Sequence, residues 1–164
     1  MQIDVKGMNT GQKTPAAFSE EMEIPSEYSL LDGKVNVDVT CTLEKWSEFF
    51  SVDGEITATV KSVCGLCLTP VEKLLKIKMN DKFSEAPDSF VDENVYGIRS
   101  DVLDLSEAVL DGLLLEIPVR FTCKDDCKGL CPECGANLNE TECTCETARF
   151  DERFAKLKDF FKEV

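Results

Sequence analysis

The sequence predicts an α+β fold. The expectation is a mainly antiparallel β-sheet or partial barrel with one buried helix, followed by a cysteine-rich extension and an amphipathic helix. Three observations carry it. From Lys34 onward apolar residues alternate with polar ones, the period of a half-buried strand. The stretch from Leu105 to Ile117 repeats its apolar residues at helical spacing instead. Six of the nine cysteines are crowded between Cys123 and Cys145. The chain therefore divides into residues 1–122, a β-rich domain with the buried helix, and residues 123–164, the extension and its helix.

Taken in order, the first thirty residues read as two short extended segments around a turn. Ile3, Val5 and Met8 alternate loosely, Asn9 to Lys13 has turn composition, and Phe18, Met22 and Ile24 lead to Pro25 as a second strand. Val35, Val37, Val39, Cys41 and Leu43 then form one face of a strand whose other face is Asn36, Asp38, Thr40 and Thr42. Cys41 lies on the apolar face and reads as a small buried hydrophobe rather than a ligand. Trp46, Phe49 and Phe50 are expected in the core or at its edge, and Val52 to Glu55 as a turn. Ile56, Ala58 and Val60 continue as a strand into Cys64, and Leu75, Ile77, Met79 and Phe83 mark the next one. Lys76, Lys78 and Lys82 share that strand's polar face, which reads as a solvated, edge-protecting surface or as a contact for RNA phosphate or an acidic partner. A polar loop follows from Ser84 to Asn94. The helix over Leu105–Ile117 has Asp104 or Ser106 as its cap and Pro118 as its stop. A last helix over 149–162 sets Phe150, Phe154, Leu157 and Phe161 on one face, for packing on the domain or docking in a partner groove.

Composition limits the function classes. At 43% hydrophobic and 30% charged the chain is globular rather than disordered. No run of ~18 apolar residues suggests a membrane span, and the N-terminal residues lack the apolar core of a signal peptide. The expected location is the cytoplasm, where thiols stay reduced and cysteine-rich stretches bind metal more often than they form disulfides. The formal charge of −14 argues against tight sequence-independent binding to nucleic acid, which depends on Lys and Arg against phosphate. A basic protein partner remains compatible with it.

Cys131-Pro132-Glu133-Cys134-Gly135 has the form of a zinc knuckle, with Gly135 free to take a positive φ and turn backbone N–H groups toward the sulfurs. Asn137 and Asn139 suit the loop that leads back to Cys143 and Cys145. These four cysteines are the natural tetrahedral thiolate quartet. With Cys41 set aside, Cys64, Cys67, Cys123 and Cys127 remain as a second quartet, provided the Cys64-Gly65-Leu66-Cys67 turn folds beside the segment entering the extension. The alternative partition joins Cys123 and Cys127 to the knuckle and leaves Cys64 and Cys67 free or paired with Cys143 and Cys145. One or two structural Zn²⁺ ions are expected.

The combination resembles a known family. A Cys-x-x-Cys-Leu at Cys64 to Leu68 is followed by a helix ending Ile-Pro-Val. After it come CKDDCKGLCPECGANLN from Cys123 to Asn139, Cys143-x-Cys145, and Phe150-Asp-x-Arg-Phe-Ala-x-Leu-Lys158. This is similar to the YceD family, the large ribosomal RNA subunit accumulation proteins of bacteria. The resemblance implies a non-enzymatic ribosome-biogenesis factor whose partner is ribosomal RNA or a ribosome-assembly protein. It also favours the two-quartet partition, since some members lack the C-terminal quartet and keep the earlier pair. Members commonly carry Ser-Arg inside the first cysteine pair, where this chain has Gly65-Leu66; an RNA contact by that arginine would be missing here.

No catalytic set is visible, and no small-molecule substrate is expected. The chain has no histidine, which removes histidine-based acid–base chemistry and His-containing triads, and there is no phosphate-binding Gly-rich loop. The competing readings are a rubredoxin-like iron-thiolate electron carrier, since thiolate tetrahedra also take iron, and a zinc-ribbon nucleic-acid-binding protein.

Overall fold

A computed structural model describes residues 1–25, 33–87 and 95–145. Its elements are β1 (Gln2–Asp4), β2 (Lys13–Glu23), β3 (Lys34–Lys45), β4 (Phe50–Val63), β5 (Pro70–Ser84), β6 (Val95–Gly97), β7 (Val102–Asp104) and α1 (Ser106–Glu116). Strands β2 to β6 form one sheet in sequence order, antiparallel except that β6 joins β5 parallel. β1 pairs antiparallel with β7 in a separate two-stranded ribbon. The larger sheet curls into a half-barrel around the single described helix.

Alternation does what its period implies. Val35, Val37, Val39, Cys41 and Leu43 are all buried on one face of β3, opposite exposed Asn36, Asp38, Thr40 and Thr42. Register carries that face across the sheet. Phe18, Val39, Ile56 and Ile77 stand in one cross-strand row, and Val37, Ala58 and Leu75 in another. α1 lies directly over β4 and β5, where a Cβ on Gly112 would sit 3.6 Å from Ile77 Cγ2 and 3.7 Å from Ile56 Cδ1. Ala108, Val109 and Leu113 are buried there, with Leu110, Leu114 and Ile117 partly so. The helix begins without a side-chain bond from its own cap residue, Leu105; Asp104, one residue earlier, accepts the Ser106 N–H at 2.9 Å. It ends at extended Ile117, as the residue before proline requires.

Two expectations are corrected. Val52 to Glu55 is not a turn: β4 runs through it, and the reversal is at Trp46–Phe49, where Trp46 N–H donates to the Phe49 carbonyl at 2.8 Å. Asp-Gly has turn composition, but Gly54 lies directly opposite Cys41 in the β3–β4 register, where the neighbouring strand approaches too closely for a side chain. A Cβ there would fall 2.4 Å from the Thr40 carbonyl oxygen and 2.6 Å from Cys41 Cβ. Trp46, expected in the core or at its edge, is 48% exposed; it stacks on Phe49 and donates from Nε1 to Ser51 Oγ at 3.3 Å. At the N-terminal end the expected turn over Asn9 to Lys13 gives way to β2 already at Lys13, and β1 pairs with β7, a hundred residues on. The helix expected over 149–162 lies outside the described residues.

Candidate metal centres

The β4–β5 hairpin carries Cys64 and Cys67 at its tip. Cys64 N–H donates to the Thr69 carbonyl at 2.8 Å and Leu68 N–H to the Cys64 carbonyl at 2.9 Å, so the pair is held in a tight turn with both cysteines buried. Leu68 closes that turn at φ 60°, a left-handed conformation unusual for leucine. The segment after α1 docks on this tip. Gly65 N–H donates to the Phe121 carbonyl at 2.9 Å, with Phe121 buried beneath. Chain direction then delivers Cys123 and Cys127 to the hairpin. Their sulfurs lie 3.5 Å from Cys67 Sγ and 3.8 Å from Cys64 Sγ respectively.

A second group forms just beyond. Cys131 N–H donates to the Ala136 carbonyl and Gly135 N–H to the Cys131 carbonyl, with Gly135 at φ 73°, so Cys131 and Cys134 face the same point. Cys143 Sγ lies 3.4 Å from Cys131 Sγ and 3.5 Å from Cys134 Sγ, and Cys145 completes the set. Cys41 belongs to neither group and is buried in the sheet.

In each group all four sulfurs lie within 4.8 Å of one another. A disulfide needs sulfurs at about 2.05 Å; a metal bound tetrahedrally at about 2.3 Å sets its sulfurs about 3.8 Å apart. The observed 3.4–3.8 Å separations fit the second case, so both clusters can hold a metal ion.

Electrostatics points the same way. Burial pushes the Cys64 thiol up, but backbone N–H groups of Cys67, Leu66 and Cys123 overcome it and bring it to about 6. The Thr69 hydroxyl and N–H lower Cys67. The N–H groups of Cys134 and Glu133 lower Cys131 to about 7. The remaining thiols resist: Cys123 is raised to about 12 by burial and by its neighbouring sulfurs, and Cys145 to about 12 by Cys143 and Cys134. Each group yields its first negative charge easily and its last only with difficulty, because like charges share one small volume. A cation at the centre removes that opposition.

The supports around the sulfurs leave little trace in the sequence. Asn139, read only as a loop residue, donates from Nδ2 to Cys127 Sγ at 3.3 Å, and Thr69 Oγ1 lies 3.2 Å from Cys67 Sγ. Leu130 N–H reaches the Leu66 carbonyl at 3.0 Å. A polar residue two positions from a cysteine was the only local signal for Thr69, and Asn139 offered none.

A family model described as large ribosomal RNA subunit accumulation protein YceD matches residues 52–161, which covers β4 from Val52 onward, β5, α1 and both cysteine groups. The chain belongs to the YceD family. Among its relatives, an uncharacterized protein of Mycobacterium tuberculosis is 32% identical over 168 residues, covering 96% of this chain and 79% of the relative. A Mycobacterium leprae protein, likewise uncharacterized, is 28% identical over 91% of this chain and 73% of its own length. The maize chloroplastic protein named large ribosomal RNA subunit accumulation protein YCED homolog 1 is 44% identical over 61 residues, 37% of this chain and 20% of that protein. No solved structure matches. In this YceD chain the matched region begins inside the sheet, so the family pattern includes the hairpin that presents Cys64 and Cys67 as well as the extension.

Proposed function

We propose that the chain is a non-enzymatic ribosome-biogenesis factor that supports accumulation of large-subunit ribosomal RNA, with two structural Zn²⁺ ions, one in each cysteine group. The carrying observation is the family match over residues 52–161, together with the name borne by the plant relatives. Four thiolates leave zinc no open coordination position for water or substrate, so such an ion orders the chain and takes no part in a reaction. The hairpin tip, the segment after α1 and the knuckle would then form one rigid end of the molecule, a surface fit to meet ribosomal RNA or an assembly protein. The net charge of −14 favours a basic protein or a locally restricted RNA contact over broad binding to phosphate. We place this action in the cytoplasm.

The test is the ratio of large- to small-subunit ribosomal RNA in cells of the native host lacking the gene. The ratio should fall and return with the wild-type chain. An unchanged ratio sinks the proposal.

A further inference from the structure

We propose that the two cysteine centres fill cooperatively and that Asn139 couples them. The inference rests on the metal reading above and adds a relation between the sites. Cys127 of the first group and Cys131 of the second are separated only by Lys128, Gly129 and Leu130. That short strap is pinned to the first centre's own turn. Leu130 N–H donates to the Leu66 carbonyl, and a Cβ on Gly129, at φ 73°, would press to 3.2 Å from the same oxygen.

Asn139 completes the link from the other side. It lies in the loop between Cys134 and Cys143, which the second centre closes, yet its amide reaches a sulfur of the first. All its side-chain capacity facing the centres is used. One Nδ2 contact goes to Cys127 Sγ at 3.3 Å and another to Asn137 Oδ1 at 2.9 Å, while Oδ1 accepts the Lys128 N–H at 3.0 Å. Asn137 is itself fixed, accepting the Asn139 N–H at 3.1 Å and donating to Glu140 Oε1 at 2.9 Å.

An N–H donated to a metal-bound thiolate favours the charged sulfur and therefore the bound ion. Closing the second centre holds Asn139 where it makes that bond. Opening the loop withdraws it. Linkage is reciprocal, so an ion in the first centre also favours the closed loop and raises affinity at the second. One charge-assisted hydrogen bond supports a coupling of about tenfold or more.

The test titrates the full-length, reduced, metal-free chain with Zn²⁺ alone and counts bound ions by native mass spectrometry. At one equivalent, two equal independent sites would give about half of the chains a single ion. The wild type should show far less of that species, with empty and two-zinc chains dominating. Asn139→Asp keeps an oxygen for the Lys128 N–H but has no amide to donate to Cys127; Asn139→Ala removes both without adding charge. Both should restore the one-zinc species. A Cys64→Ser/Cys67→Ser chain separates coupling from simple loop support. There only the second centre can fill, and adding Asn139→Ala should leave its Zn²⁺ affinity unchanged. A drop in that background overturns the coupling role. A statistical share of one-zinc wild-type chains also overturns the coupling while leaving both metal centres standing. Absence of bound zinc at any ratio overturns the metal reading itself and the inference with it.

Discussion

Asp81 is a half-buried carboxylate paired in register with fully buried Val52. Burial, and after it the like charge of Asp111, hold its carboxyl above the usual range. The folded chain therefore prefers the proton more than the unfolded chain does. The stability this group contributes is complete below the ordinary carboxylate value and is lost as pH rises through the raised one. At pH 7.5 the fold carries an ionised group it would rather keep neutral. Asp81→Asn should raise the thermal midpoint at pH 7.5, with the gain shrinking as pH falls toward 4; a lowered midpoint at pH 7.5 would contradict this. Such a residue is invisible to periodicity, because Asp81 looks like any polar position in an alternating strand. Cys41 was legible for the opposite reason, since its place in the β3 alternation by itself put it inside.

At the scale of elements, β4 shows where reading from composition fails. Local turn chemistry at Asp53-Gly54 competes with the register of four strands, and the register prevails because Ala16, Cys41, Gly54 and Met79 form one cross-sheet row. Gly54→Ala should destabilise the protein by about 1–3 kcal/mol through overpacking against the Thr40 carbonyl and Cys41. Urea unfolding checks it, and an unchanged midpoint would mean that β3 does not approach Gly54 so closely. Strands with clean alternation and the wide-faced helix α1 were legible, because burial on one face leaves a period in the sequence. The pairing of β1 with β7 was not, since a three-residue strand has too few positions to show a period and its partner lies far along the chain. The grouping of cysteines is a mixed case. Spacing suggested the knuckle quartet and elimination left Cys64, Cys67, Cys123 and Cys127 as the other, but the docking of Phe121 and Leu130 on the hairpin tip that brings those four together is recorded by no local pattern.

Over the whole molecule, apolar burial is concentrated between the sheet and α1, and the segment from 122 to 145 has little of its own, with Cys131 among its few buried residues. Order in that segment should therefore depend on the metal centres. Removing metal from the reduced protein with a strong chelator should abolish hydrogen-exchange protection across 122–145 while β3, β4 and β5 keep theirs. Equal loss across the sheet, or no loss at all, would show that the centres do not divide the molecule in this way. The first centre also has a history during synthesis. Cys127 lies 63 residues beyond Cys64, and at about 5–20 residues per second the ribosome needs roughly 3 to 13 seconds to make that interval. For that time the hairpin tip exists as a dithiol whose partner cysteines have not been translated, so the first group cannot assemble until the second half of the chain arrives.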